Sequence, residues 1–245
     1  MLSPTQVENF HRDQKKSIQL LESILRTLAV GLSEVDIISA LEEKSKELGF
    51  VGFIRRPVVH IDYHLSLRWG PSKTRRLKTG SVVQIHIQPY SQEAFGNIGI
   101  SFVFQRADLP IVEKARELCI AASTFATGSK KAGEIFVFSQ SWCTNHRTDL
   151  NKESVGHFCF PNSAQGIFGH FWPQSMRAFT QMRRFQLQWY NPRPLHGIYA
   201  IHPDIKQDGR RTGFAEMLYI TPEKRVILGR ESLEELCTFH WENTI

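Results

Sequence analysis

Two apolar segments in the C-terminal third of the sequence each carry one residue that can bind a metal ion. The first, residues 195–203, contains His202, and the second, residues 214–221, contains Glu216. Both alternate and are rich in β-branched and aromatic residues, so each is predicted to be a strand, with the polar residues 206–213 as their connection. A polar side chain on a buried strand is costly unless it has a partner. A metal ion shared by His202 and Glu216 would remove that cost.

The elements that must position these residues come in two similar series, each with a helix pair followed by strands. Ser33 is predicted to cap the second helix of the first pair. The segments Gly31…Ile37 and Gly128…Ile135 lead into the second helix of each pair in a similar way, which indicates two related halves. Residues 144–154 are predicted to be a loop, and the order of elements predicts the α+β class. The helical patterns cover residues 8–27, 34–48, 110–125 and 132–142, and further strand patterns cover residues 82–87, 97–105 and 155–161.

Composition limits the classes of protein to which the chain can belong. With 245 residues and 41% hydrophobic content, it can bury a substantial core. No apolar run approaches the ~20 residues that span a bilayer, and the start shows no basic region followed by an apolar core. We therefore expect a cytoplasmic location and no membrane partner.

The charged residues and the cysteines are less informative. The net charge is +6, and short basic groups such as residues 73–78 could contact nucleic acid or an acidic ligand. Because no nucleic-acid motif accompanies them, solvated loops are the favoured interpretation, and we expect no nucleic-acid partner. The cysteines form no CxxC pair, which favours reduced, buried thiols at Cys119, Cys143, Cys159 and Cys237.

Six short motifs follow one another along nearly the whole chain. They are Gly31-Leu-Ser-Glu34, residues 76–86, Gly156-His157, His170-Phe-Trp-Pro173, residues 195–203 and residues 215–221. In this order they resemble the G-x-[ST]-E, L-x-x-G-D-x-V-x-x-D, G-H-G-x-G, H-E-x-P, L-x-x-G-M-x-x-x-x-E-P and I-E-D-x-x-x-V-T motifs of one catalytic domain. That domain is shared by methionine aminopeptidases, prolidases, Xaa-Pro aminopeptidases and creatinase. The resemblance implies a single pita-bread domain over residues 1–245, with two pseudo-symmetric halves around a central metal site.

The resemblance also implies where ligands should lie, and the chain departs from the family there. The family holds two divalent ions with Asp, Asp, His, Glu and Glu. At these positions the chain has His86, then Gly99 or its neighbour Asn97, then His157, His202 and Glu216. A further family histidine, near the substrate, falls on His170. The roles of His157 and His170 could be exchanged, and we favour His157 as the ligand and His170 as the catalytic residue that contacts substrate.

These departures change the predicted metal site. Two close ions need bridging carboxylates to offset their repulsion, so a dinuclear site is not expected. His86, His157, His202 and Glu216 instead form a candidate site for one divalent transition metal ion. Fe(II) is favoured because two histidines and one carboxylate are typical of non-haem iron, with Zn, Mn or Co as alternatives. A single histidine on a strand is usually structural, but four ligand-type residues at four inherited positions favour a site.

Three functions follow from this site. The favoured one is a metalloenzyme that is not an ordinary aminopeptidase, with non-haem iron oxidase or oxygenase chemistry on a small amino-acid-like substrate. The second is a single-metal hydrolase of a peptide or small amide. The third is a metal-free binding module. The expected partner is a small molecule or a short peptide, and a homodimer is compatible with the sequence.

Overall fold

The computed structural model describes residues 2–62, 71–151, 154–160 and 185–229. These ranges contain helices and antiparallel strands, as the α+β prediction requires. The helices are Pro4–Leu25 (α1), Glu34–Glu47 (α2), Pro110–Phe125 (α3) and Ala132–Asn145 (α4). The strands β1–β12 are Gly52–Phe53, Val58–Ile61, Val82–Ile87, Pro89–Tyr90, Ile98–Val103, Asp149–Leu150, Gly156–Cys159, Gly197–Ile201, Asp204–Gln207, Arg210–Gly213, Glu216–Ile220 and Arg225–Ile227.

Local side-chain chemistry sets the starts of the first two helices. Ser33 caps α2 as predicted, in a capping box with Asp36. A second capping box, between Ser3 and Gln6, starts α1 at Pro4, four residues before the predicted start at residue 8. Among the described residues, no helix is long and apolar enough to cross a membrane.

Two halves of similar construction are present, which agrees with the predicted repeat. In the first, α1 and α2 accompany the sheet β2-β3-β5, and in the second, α3 and α4 accompany β7-β8-β11-β12, with most of the buried face of α3 packed in the core of the first half. In each half, the N-cap residue of the second helix pairs with a residue far away in the chain. Ser33 forms an antiparallel bridge with Arg76, and Lys131 forms one with Pro194.

The two halves meet where β5 lies beside the segment between the end of β10 and the start of β11. Ala215 N–H donates to the carbonyl of Gly99 at 2.8 Å, and Ser101 Oγ donates to the carbonyl of Gly213 at 2.9 Å. A hydrophobic cluster combines Phe10 and Phe95 from the first half with Ile198, Ala200 and Met217 from the second. The candidate site lies at this junction.

Two sequence predictions are wrong. Residues 206–213 are not a simple connection, because β9 and β10 form an antiparallel hairpin there. Asp208 and Gly209 both have positive φ, as a tight hairpin turn requires. The predicted loop 144–154 contains β6, which pairs with β9. The predicted catalytic residue His170 lies outside the described residues.

Candidate functional site

Three of the predicted ligands converge where the two sheets join. His86 lies near the end of β3, His157 lies on β7, and His202 directly follows β8. The ring centroids of His86 and His202 are 5.7 Å apart, and those of His157 and His202 are 5.2 Å apart. His202 N–H still donates to the carbonyl of Val155 at 2.8 Å, so a backbone bond between neighbouring strands holds it in place. We call these three residues the histidine triangle.

Asn97 joins two members of the triangle. Its Oδ1 lies 2.6 Å from His86 Nε2, and its Nδ2 lies 3.4 Å from His157 Nε2. Because an amide oxygen only accepts, His86 must donate from Nε2, whereas His157 Nε2 accepts from the amide. His157 then carries its proton on Nδ1, which donates to the carbonyl of Phe158 at 3.1 Å. The Nδ1 anchor turns the Nε2 lone pair of His157 towards the site, where the Asn97 amide now occupies it.

Of the two residues that the sequence left open at the second aspartate position, Asn97 is the one whose side chain reaches the histidines. Asn97 is fully buried, and its backbone is fixed by the Gln14 amide, which accepts from N–H at 2.7 Å and donates to the carbonyl at 3.0 Å. Gly99 lies beneath the His86 ring, and a Cβ there would be 3.3 Å from that ring and 3.1 Å from Ala215 Cβ. The sequence left Gly99 and Asn97 open, and the side chain that reaches the histidines belongs to Asn97.

Glu216 is the first residue of β11. It is 2% exposed, and its Cα pairs with that of Ile201, the residue before His202. Among the described residues, the pocket lined by the histidine triangle does not include Glu216. Within residues 2–62, 71–151, 154–160 and 185–229, no group of three or more His, Cys, Asp or Glu side chains is arranged to hold a metal ion.

The histidine triangle opens into a polar pocket of about 510 Å³. Besides the three histidines, its described lining contains three arginines and four glutamines. Asp204 is the only carboxylate of that described lining. Asp204 Oδ2 accepts from Arg211 Nε at 2.9 Å, and Oδ1 accepts from Gln84 Nε2 at 3.3 Å. The pocket is therefore rich in donors and carries positive charge.

Cys159 lies beside the triangle but does not take part in its chemistry. Its Sγ is 4.0 Å from His157 Nδ1. Complete burial raises the pKa of the Cys159 thiol far above its usual range, so it remains protonated. With Cys119 and Cys143, it is one of the buried thiols that the sequence predicted.

The donor set of the site lacks what two metal ions need. Two ions do not fit, because His86, Asn97 and His202 supply no bridging carboxylate. For one ion the donor types are suitable, although the described side chains are not arranged to hold it as they stand. With a metal–nitrogen distance of about 2.0 Å, two imidazoles on a tetrahedral ion have ring centroids about 5 Å apart. The two ring distances above agree with this spacing. His86 Nε2 would have to exchange Asn97 Oδ1 for the ion.

Comparison with solved structures identifies the fold. The X-Pro aminopeptidase from Thermotoga maritima superposes with a TM-score of 0.75 at 14% identity, over 94% of this chain and 63% of its own. Methionine aminopeptidase from the same organism gives 0.71 at 16%, over 94% and 98%. The prolidase from Pyrococcus furiosus gives 0.74 at 13%, over 94% and 65%. No protein-family model and no curated protein matches the sequence.

These superpositions confirm the pita-bread fold that the motifs indicated. The chain spans less than two thirds of the length of the X-Pro aminopeptidase and of a prolidase from Pyrococcus horikoshii, each covered over 63%. At these identities the likeness concerns the fold alone. The activity must therefore be argued from the side chains of the site.

Proposed function

We propose that this chain is a metal-dependent enzyme in which histidines hold one divalent transition metal ion in place of a carboxylate-bridged pair. The convergence of His86, His157 and His202 at 5.2 and 5.7 Å is the observation that supports this most directly. His157 would contribute Nε2, since its Nδ1 is anchored on Phe158. Glu216, whose strand runs beside His202, would be the carboxylate of the set.

The reaction class follows from the groups that surround the ion. Such an ion supplies Lewis acidity, or redox chemistry if it is iron. Hydrolysis also needs a base for the attacking water, and Asp204, the one carboxylate of the described lining, already binds Arg211 and Gln84. We therefore propose Fe(II) and oxidation of a small amino-acid-like molecule by dioxygen, which takes up the electrons, rather than peptide hydrolysis. His170 would contact that substrate, and we propose that the reaction takes place in the cytoplasm.

Metal analysis of protein purified without oxygen tests the proposal. About one equivalent of iron is expected, and one equivalent of zinc, manganese or cobalt would favour the single-metal hydrolase instead. His202→Ala should lose the metal and keep its circular dichroism spectrum. His196→Ala is the matched control. His196 is an exposed histidine directly before β8, so its substitution should leave the metal content unchanged. Equal metal content in wild type and His202→Ala would refute the site.

A metal-free binding module is the second candidate. The Asn97 amide already satisfies His86 Nε2 and approaches His157 Nε2, and the arginines of the lining would repel a cation. In that case, protein reconstituted with Fe(II), Zn(II) or Mn(II) should bind less than about a tenth of an equivalent of metal. This is roughly tenfold less than a functional metal site would bind. The histidine triangle then acts only through hydrogen bonds.

A further inference from the structure

The pocket of the histidine triangle has a basic side that the metal proposal does not use. Arg55, Arg56 and Arg211 line it, and Asp204 is the single carboxylate of its described lining. The Asp204 charge is matched by Arg211, with which it forms a close ion pair. Arg55 and Arg56 are the other two arginines of the described lining.

The chain holds this pair of arginines close to the histidines. Arg55 and Arg56 lie between β1 and β2, where Ile54 N–H donates to the carbonyl of Gln88 at 2.9 Å. Val58 of β2 is directly opposite His86 of β3. Arg56, two residues before Val58, lines the same pocket as Val58 and His86. One small molecule can reach both groups.

We propose that Arg55 and Arg56 bind an oxyanion of the ligand, a carboxylate or a phosphate group, so that the substrate is a small anion. A guanidinium group forms paired, charge-assisted hydrogen bonds with either group. The pocket of about 510 Å³ has the size of a small-molecule site. This inference names the substrate class for the function proposed above and rests on that function for the identity of the pocket.

The test compares an acid with its neutral amide on the full chain after removal of metals with a chelator. N-acetylglycine and N-acetylglycinamide are titrated by calorimetry, with inorganic phosphate as a competitor. The acid should bind about tenfold more tightly than the amide, and high salt should reduce this preference. Arg55→Gln/Arg56→Gln should bring the ratio close to one. Arg106→Gln, which removes an exposed arginine outside the described lining, should retain it.

The outcomes distinguish a carboxylate site from a phosphate site, and they test the anion proposal separately from the metal proposal. Competition by phosphate supports a site that accepts either oxyanion, and binding of the acid without such competition supports a carboxylate site. Equal binding of acid and amide, binding of neither, or a preference that survives the double substitution overturns the inference. Circular dichroism checks the double variant, and Arg56→Gln, at an exposed position, replaces it if it unfolds. Because the titration uses metal-free protein, failure of the metal proposal leaves its result unchanged.

Discussion

Asn97 supplies an uncharged amide at a point where a carboxylate would favour a cation. Asn97→Asp keeps the side-chain shape and adds a negative charge beside His86 and His157. We expect affinity for Zn(II) or Co(II) to rise about tenfold or more, since a charge at this distance in a buried site contributes more than about 1.4 kcal/mol.

Competition with a chromogenic chelator measures that affinity. Asn145→Asp makes the same change at an exposed position at the end of α4 and should leave affinity unchanged. If Asn97→Asp binds metal no more tightly than the wild type, the Asn97 side chain does not occupy the position of a metal ligand.

His60 gives the fold a pH dependence of its own. Burial lowers the pKa of His60 from 6.5 to about 4. Arg211 and Arg75 add smaller lowering effects, which the carboxylates of Glu34 and Asp204 oppose. Below pH 6.5 this histidine binds a proton in the unfolded chain but stays neutral in the folded chain. The free energy of unfolding therefore falls as the pH falls towards 4. The loss from this residue reaches at most about 3 kcal/mol.

Urea unfolding at several pH values, for wild type and His60→Gln, isolates this contribution. The wild-type curve should fall more steeply between pH 6.5 and 4, because the glutamine cannot titrate there. His196→Gln removes an exposed histidine and should follow the wild type. Parallel curves for wild type and His60→Gln would contradict the assignment.

At the scale of residues, the sequence grouped His86, His157 and His202 but left the residue that joins them open between Gly99 and Asn97. The three histidines could be grouped because their motifs are short and continuous. The choice between Gly99 and Asn97 depended on the side chain of Asn97, which meets residues 11 and 60 positions away. Local spacing contains no information on that contact. The placement of the Glu216 carboxylate similarly depends on the neighbouring strands.

At the scale of elements, Glu34 shows what the Gly31-Leu-Ser-Glu34 turn does. This first residue of α2 is 1% exposed, and its carboxylate accepts from the N–H groups of Ile61 at 3.0 Å and Ser72 at 2.6 Å. Arg75 lies 3.6 Å from it. Glu34→Ala should lower the free energy of unfolding by about 3 kcal/mol, because two buried donors lose their acceptor.

Urea unfolding measures this loss. Glu34→Gln retains one acceptor oxygen and should lose less than Glu34→Ala. Glu47→Ala, at an exposed position of the same helix, should change stability by no more than about 0.5 kcal/mol. Equal stability of Glu34→Ala and wild type would show that water replaces the carboxylate.

The helices were more predictable than the short strands. The bounds of α3 match the prediction at both ends, because Pro110 and a regular apolar face mark them. The hairpin β9–β10 was missed because its strands are short and residues 206–213 are mostly polar, although Asp208-Gly209 is a hairpin signal. Its first strand, β9, pairs with β6, which lies more than fifty residues earlier in the chain.

At the scale of the whole molecule, the site exists only while both halves are held together. Phe10 of α1 is fully buried, packs edge-to-face on Phe95 with ring centroids 5.3 Å apart, and shares a cluster with Ile198 and Met217 of the second half. The backbone bonds between Gly99 and Ala215 lie beside His86. The histidine triangle takes residues from both sheets, so separation of the halves would take it apart.

Phe10→Ala tests whether the halves unfold as one unit. The cavity should lower the free energy of unfolding by about 3–5 kcal/mol. If residues 1–245 form a single domain, hydrogen exchange should accelerate by the same factor in β3 of the first half and in β8 of the second. Phe138→Ala, which removes a half-buried phenylalanine stacked on Phe125 in the second half, should accelerate both strands equally but less. Faster exchange in β3 with unchanged protection in β8 would mean that the second half is stable without the first, and that the site forms by docking of two independent units.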